Sequence, residues 1–452
     1  MSPAADVSIV GAGLCGALLA ILLSQRGFNV EVYERRADPR RHSDDAGRSI
    51  NLALAARGLR ALEKAGIADE LAPHTLAMRG RRIHSLDGAT ELQRYGQSDA
   101  ECIYSIGRAA LNLLLIEAAA RSPRVQLNFA TRCTDVDPQT LAITLDSANG
   151  ASPESRSSRV LLGTDGAGSA VRSSLERAGL VHTREDWLDH DYKELTVPPR
   201  GDGAWAFAPD ALHIWPRGGY MLIALPNPDR SFTATLFLPR SGPASFAALD
   251  SPDRVAAFFH REFPDAAAAM PGLTADFARH PQGRMASVHC TPWSLTRASS
   301  TALLLGDAAH AIVPFHGQGM NAAFEDCLEL CASLDLGQSL PEACARFESG
   351  RRAKTEAIAE MALENYIEMR DTVRDPAFVR QKALAAELER RYPERFIPRY
   401  SMVMFHPEIS YAEAQRRGAI QSEILREIDS GACDAAQAEA VIYARLPPIT
   451  RD

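Results

Sequence analysis

The sequence has little that would place it among metal-held, secreted, membrane or nucleic-acid-binding proteins. Its eight cysteines, at positions 15, 102, 133, 290, 327, 331, 344 and 433, form no Cys-x-x-Cys pair, and no histidine stands at zinc-ligand spacing. That excludes a structural metal and points to reduced thiols in a cytoplasm rather than a disulfide frame. Cys327 and Cys331 fall on one helix face, as two small buried residues would. There is no basic excess: 49 Lys and Arg against 57 Asp and Glu leave a net charge of −8, so neither nucleic acid nor anionic lipid is an expected partner. No basic segment or cleavage site precedes the strand at Val7, and no secretory leader is expected. The apolar residues 17–23 are too few to cross a bilayer, and the tail Leu446-Pro447-Pro448-Ile449-Thr450-Arg451-Asp452 has no hydrophobic anchor. Repeats and low-complexity stretches are absent.

What is present is organised around glycine, in a chain whose 452 residues suggest two or three domains. Val7-Ser8-Ile9-Val10 reads as a buried strand, followed by Gly11-Ala12-Gly13-Leu14-Cys15-Gly16 and an apolar helix closed by Gly27. A second strand ends at Tyr33-Glu34-Arg35. Strand, glycine turn, helix, strand and acid in this order form a dinucleotide fingerprint. The glycines serve the turn, the approach of a pyrophosphate and helix packing, and Glu34, 18 residues beyond Gly16, accepts from a ribose hydroxyl. The fingerprint alone leaves NAD and FAD both open.

Two later strand ends repeat the theme. Residues 160–163 lead into Thr164-Asp165-Gly166, and the apolar residues 302–305 lead into Gly306-Asp307. Pro314-Phe315-His316-Gly317-Gln318-Gly319 then makes a rigid corner with bare backbone, and a helix from Met320-Asn321 aims its free N–H groups at whatever that loop holds. Between these motifs, short β-rich runs at 192–197, 211–215, 220–225 and 231–238, separated by Pro and Gly turns, predict an antiparallel sheet in a second domain. One face of it would carry Leu212, Met221, Ile223, Leu225 and Phe237. From residue 341 the chain reads helical, with residues 361–369 on one amphipathic helix.

A glycine fingerprint, then Asp165-Gly166, then Gly306-Asp307 resemble, in that order, the single-component FAD-dependent aromatic hydroxylases of the para-hydroxybenzoate hydroxylase fold. The resemblance implies an α/β protein. Its Rossmann-like FAD-binding domain would be built from residues 1–76, 97–180 and 286–345, its inserted antiparallel-sheet substrate domain from 77–96 and 181–285, and its C-terminal helical region from 346–452. It implies tightly but non-covalently bound FAD, with Gly11, Gly13, Leu14, Gly16, Glu34 and Arg35 at the ADP end and Arg108 at the flavin. Asp165 would lie near FAD, Asp307 would meet the ribityl chain, and Gln318, Gly319, Met320 and Asn321 would lie beneath the ring system. No second glycine fingerprint follows, so NADPH would visit a surface groove. Gly107, before Arg108, stands where relatives usually carry a polar residue.

Within that family the chain is most similar to the branch that hydroxylates L-kynurenine. The similarity rests on Gly47-Arg48-Ser49-Ile50-Asn51-Leu52-Ala53-Leu54, Met78-Arg79-Gly80-Arg81, Tyr192-Lys193-Glu194-Leu195, Leu212-His213-Ile214-Trp215-Pro216, residues 313–321, Leu363-Glu364-Asn365-Tyr366 and residues 396–402. It implies Arg81 pairing with the substrate carboxylate, Tyr95 on the same group, and Asn365 and Tyr400 at the amino-acid end. The aromatic ring would lie among Ile223, Leu225, Phe237 and Met369, against Pro314, Phe315 and His316. NADPH and dioxygen are the implied co-substrates, and a flavin hydroperoxide the oxygen donor. An aniline ring is electron-rich, so no obligatory acid or base is needed, and His316 is the one candidate proton carrier. Two alternatives stay open: a hydroxylase of another anilinic or phenolic acid, and a flavin-binding regulatory protein that no longer hydroxylates. The expected partners are small molecules, and the expected state a soluble monomer or homodimer.

Overall fold

A computed structural model describes residues 5–41, 51–147, 152–372, 375–433 and 435–449, apart from the side chains of 435 and 436. Gly47-Arg48-Ser49-Ile50 of one motif above, and Thr450-Arg451-Asp452 of the tail, lie outside the described residues. The chain forms two compact units, one from Met1–His74, Ile106–Trp187 and Ala286–Ala353, the other from Thr75–Ser105, Leu188–Met285 and Lys354–Asp452.

The first unit holds a six-stranded sheet in the order Ser294–Arg297, Ser300–Leu304, Val160–Gly163, Val7–Val10, Val30–Tyr33 and Val125–Asn128. Every neighbouring pair is parallel except the first, at the edge. A parallel sheet is covered on both faces and so needs strands with no polar side. Val7, Ile9, Val160, Leu162 and Leu303 meet that need, each fully buried. The apolar helix Leu14–Gln25 is buried nearly all round, from Leu14 to Ser24. Val7–Val10 has Val30–Tyr33 on one side and Val160–Gly163 on the other, and such a reversal of strand order opens a crevice beyond the carboxyl ends of the strands.

The second unit is built on a seven-stranded sheet: Gly283–Thr291, His182–Val197, Phe232–Pro239, Met221–Pro226, Leu212–Pro216, Gly80–His84 and Thr90–Arg94. The four expected β-rich runs all lie in it. Leu212–Pro216 pairs in parallel with Gly80–His84, so the sheet is not purely antiparallel. Gly80–His84 comes from a distant part of the chain, and no hairpin joins it to Leu212–Pro216 to impose the antiparallel direction. Because side chains alternate along a strand, pairing fixes the two faces. Trp215, Leu222, Ala224, Ala234 and Leu236 share the face covered by Val255, Phe258, Phe259, Phe263 and Phe277. There Trp215 Nε1 and His84 Nδ1 both reach Asp265, at 2.9 and 2.7 Å, tying the short helix Pro264–Ala268 to the sheet.

The opposite face carries Met221, Ile223 and Leu225, with Phe237 paired to Met221 and Ile214 to Ile223. Leu212 pairs with Arg81, and Arg81 with Gln93, so those side chains also belong to this face. In the C-terminal part, the long helix Leu340–Ile367 does not run smoothly on through Met369. At Glu368–Thr372 it becomes a π-helical turn, held to the loop before Met221 by Gly218 N–H donating to Arg370 O and Gly219 N–H donating to Asp371 Oδ1, at 3.2 and 2.7 Å. The helices Pro376–Arg391, Tyr411–Asp429 and Ala435–Arg445 close a separate apolar cluster around Leu388, Phe396, Ile424 and Ile442.

Candidate active site

The glycine turn after Val7–Val10 has the shape a pyrophosphate needs. Gly11 has φ +100°, and a Cβ there would come within 2.8 Å of Asp165 Cα. A Cβ on Gly16 would lie 2.0 Å from Gly11 O, so the helix can pack onto the turn only with glycine at that position. Gly13 differs: a Cβ there meets nothing within 4 Å. It is the N-cap of the helix Leu14–Gln25, with no side chain satisfying the helix N-terminus and no acid in the first turn. Open space in front of uncapped N–H groups fits an anionic phosphate. Glu34 Oε2 accepts from Ala12 N–H at 2.9 Å, while Arg36, not its exposed neighbour Arg35, supplies the cation at 2.9 Å. Burial alone would raise the Glu34 carboxyl, but Arg36 holds it below its ordinary value and keeps it a hydrogen-bond acceptor.

Asp165 has a local task. Its carboxylate accepts from Ser169 Oγ at 2.5 Å and from Ala170 N–H at 2.6 Å, which fixes the start of the helix Ala170–Arg177. Asp307 is different, since the residue is exposed, yet the protein around it takes away part of its water. That partial loss of water raises its carboxyl above the ordinary range, and the charges of Arg108 and His310 offset part of the rise. Arg108 is exposed at the start of the helix Arg108–Ala120, whose N-cap Gly107 offers no side-chain bond. Gln318, Gly319, Met320 and Asn321 start the 17-residue helix Gly319–Asp335, again without a side-chain cap. The Asn321 amide is committed to scaffolding. It donates to Ala53 O and Gly317 O, both at 2.9 Å, and accepts from Ala55 N–H at 3.0 Å. The Asn321 side chain is thus spoken for, while the uncapped backbone of this helix start faces no side-chain partner of its own. Pro314 is exposed, and Phe315 and His316 are buried, in the single turn Pro314–His316 of the same unit.

Sequence reasoning missed the group that holds Gly306-Asp307 in place. Gly306 has φ 57° and ψ −141°, a conformation open to glycine alone, and its N–H donates to Asp326 Oδ2 at 2.9 Å. Asp326, fully buried, also takes His310 Nε2 and Arg351 Nε, both at 2.7 Å. Arg351 bonds Glu325 and Glu329 as well, and Arg57 pairs with Glu325. The signal was a pair of adjacent acids, Glu325-Asp326, in a helix whose buried residues are mostly apolar. Burial would raise the Asp326 carboxyl, yet His310 and Arg351 bring it down to about 2. A carboxyl lowered on folding stabilises the protein above its unfolded value near 4, and that contribution is lost as pH falls toward 2. Asp326→Leu should therefore cost about 3–5 kcal/mol at neutral pH by leaving Arg351 Nε, His310 Nε2 and the Gly306 N–H without their shared acceptor. In urea melts the gap between Asp326→Asn and the parent should close between pH 4 and 2, and a gap that holds constant would refute the assignment.

In the second unit the structure brings together Arg81, Tyr95, Asn365, Met369 and Tyr400. Arg81 is 3% exposed and donates to Glu368 Oε1 at 2.8 Å and Asn365 Oδ1 at 3.3 Å. Its guanidinium lies 4.7 Å from the centre of the Tyr400 ring and 5.9 Å from that of Tyr95, and the two rings stack at 5.3 Å. Burial works against the Arg81 charge, but Tyr400, Glu368 and Tyr95 outweigh it and hold the side chain protonated. Asn365 Nδ2 donates to Met369 Sδ at 3.3 Å. Ile223, Leu225 and Phe237 lie on the sheet face that also carries Arg81, with Ile223 the one left half-exposed. One face thus presents a cation framed by aromatic rings and, alongside, an apolar wall. Glu368 and the π turn that carries it gave no sequence signal. Among the described residues no helix is long and apolar enough to cross a membrane, and no cluster of three metal-ligating side chains occurs.

A dinucleotide cradle in one unit and a cation beside an apolar wall in the other define a flavoprotein of the aromatic hydroxylase class. A family model described as FAD binding domain matches residues 4–361. The kynurenine 3-monooxygenase of Xanthomonas campestris pv. campestris (strain 8004) is 47% identical over 457 aligned positions, covering 99% of each chain. That of Stenotrophomonas maltophilia (strain K279a) is 46% identical, covering 98% of this chain and 97% of its own. The chain belongs to the kynurenine 3-monooxygenase family. Solved structures share the fold at lower identity. The tetrameric form of 2-methyl-3-hydroxypyridine-5-carboxylic acid oxygenase has a TM-score of 0.66 at 20% identity, covering 85% of this chain and 96% of that one. P. aeruginosa PqsL in complex with 2-aminobenzoylacetate has 0.63 at 24%, covering 81% and 97%.

Proposed function

We propose that this protein hydroxylates L-kynurenine to 3-hydroxy-L-kynurenine, using FAD, NADPH and dioxygen, in the cytoplasmic catabolism of tryptophan. The observation that carries the reading is the shared sheet face, on which Arg81 projects from the same side as the apolar Ile223, Leu225 and Phe237. An amino acid with an aminobenzoyl side chain has the same division, charged at one end and flat and apolar at the other.

FAD, when bound, supplies the electrons that activate dioxygen, which no side chain can do. Gly13 and the N-terminus of Leu14–Gln25 would hold its pyrophosphate, Glu34 a ribose hydroxyl, Asp307 the ribityl chain, and the Gly319 helix start would stabilise negative charge on the ring. Arg81 would take the substrate carboxylate as a two-pronged donor, with Tyr95 on the same group and Asn365 and Tyr400 at the amino-acid end. Ile223, Leu225, Phe237 and Met369 would exclude water, so that oxygen reaches the ring instead of leaving as hydrogen peroxide. The amino substituent makes the ring electron-rich, and for this reason no strong base is required. His316 is the candidate to carry the proton released as the ring regains aromaticity.

The test is to mix the FAD-loaded protein with NADPH and L-kynurenine in air, following NADPH loss, peroxide and product mass. Consumption of NADPH with one oxygen added to kynurenine is expected. NADPH oxidation that yields peroxide alone would make kynurenine an effector and not the substrate.

A further inference from the structure

We propose that Lys382 is a second cation of the amino-acid pocket, standing beside Arg81 to receive the substrate carboxylate. The proposal rests on the kynurenine reading above and adds a residue to it. Lys382 comes from the helix Pro376–Arg391, and its Nζ donates to Gln93 Oε1 at 3.3 Å. Gln93 is buried and is the direct cross-strand partner of Arg81, so its side chain projects from the same face. The lysine ammonium therefore ends one strand away from the guanidinium.

Two cations, Arg81 and Lys382, stand here with two acids, Glu368 and Glu91. Arg81 already has Glu368 as its counter-ion at 2.8 Å. Burial raises both Tyr95 and Tyr400 above the ordinary tyrosine range, so both rings are neutral. Lys382 has a neutral amide for a partner, and among the described residues it forms no ion pair. An ammonium has three donors, and at most one is used here. A half-buried ammonium held only by a neutral amide gives up part of its hydration with no direct ion pair in return. A ligand that brings one negative charge relieves that cost, and the substrate's carboxylate does so. The groups facing Lys382 are Arg81 on Gly80–His84, Glu91 and Gln93 on Thr90–Arg94, and Glu368 on the π turn. Burial, with Arg81 adding to it, lowers the lysine to about 8. Its charge is then present below pH 8 and lost above, which ties carboxylate capture to pH in the free enzyme.

Three forms of the FAD-loaded protein test this: the parent, Lys382→Met and Lys382→Arg, each titrated with L-kynurenine and with its decarboxylated amine. Lys382→Met should raise KM for kynurenine about tenfold, leave kcat nearly unchanged, and lose the alkaline fall in kcat/KM. Its preference for kynurenine over the amine should shrink by the same factor. Lys382→Arg should restore KM and move the alkaline fall upward, a rescue that a purely structural role would not give. A Met variant with parental KM, parental pH profile and parental preference overturns the proposal. If the parent binds the amine as tightly as kynurenine, the carboxylate pocket itself is wrong and the role of Lys382 falls with it.

Discussion

Arg81→Met is expected to lower kcat/KM for L-kynurenine by roughly 10²- to 10³-fold, almost entirely through KM, because charge-assisted bonds to a carboxylate contribute about 1.5–3 kcal/mol each. Two effects add here. The substrate loses its two-pronged donor, and Glu368, now unpaired, faces the incoming carboxylate with a like charge. The double variant Arg81→Met with Glu368→Gln removes that repulsion and should recover part of the loss. Steady-state kinetics on both separate the contributions. A single variant that lowers kcat with KM unchanged would mean that Arg81 does not hold the ground-state substrate.

The second large effect separates folding from cofactor binding. Gly13→Asp should give a protein that folds as well as the apoprotein or slightly better, yet takes up no FAD. The open space before Gly13 accommodates the side chain, and Asp caps a helix N-terminus at least as well as glycine, by a few tenths of a kcal/mol. The same carboxylate occupies the place and the charge of the pyrophosphate. Gly16→Ala should do the reverse at the level of the fold, because its methyl group runs into Gly11 O, with a cost of about 1–3 kcal/mol or more. Thermal melts of the apoproteins and FAD titration by absorbance distinguish the two. A yellow Gly13→Asp protein with stoichiometric FAD would remove this turn from the binding site.

These two predictions draw on unlike kinds of legibility. The glycine turn was readable from sequence because a buried parallel strand is mostly apolar up to an abrupt glycine, as in Val7–Val10 before Gly11 and residues 302–305 before Gly306. The β-rich runs of the second unit were readable because Pro and Gly turns bound each one. Arg81 was not readable from local pattern, since Arg79-Gly80-Arg81-Arg82 is by itself an ordinary basic run, and family resemblance alone singled it out. Its partners Asn365 and Glu368 stand 284 and 287 residues further along the chain. The charge cluster of Arg57, Glu325, Asp326 and Arg351 was hidden for the same reason: each member alone looks like surface, and only packing shows that all four side chains are buried or nearly so. Lys382 belongs with them, one lysine on a polar helix until Gln93 is seen beneath it.

The π-helical turn at Glu368–Thr372 gives this chain a way to change what it accepts. Successive residues on an α-helix point about 100° apart, and a π turn accommodates one residue more than regular winding would. The turn's far end is anchored through Arg370 and Asp371 to Gly218 and Gly219. Shortening it by a single codon would rotate Asn365 and Glu368 relative to that anchor, presenting a different pair of side chains to the guanidinium while the sheet stays as it is. One deletion could thereby redraw the ligand repertoire with no change to the nucleotide cradle, a step that point substitutions in the apolar wall cannot match.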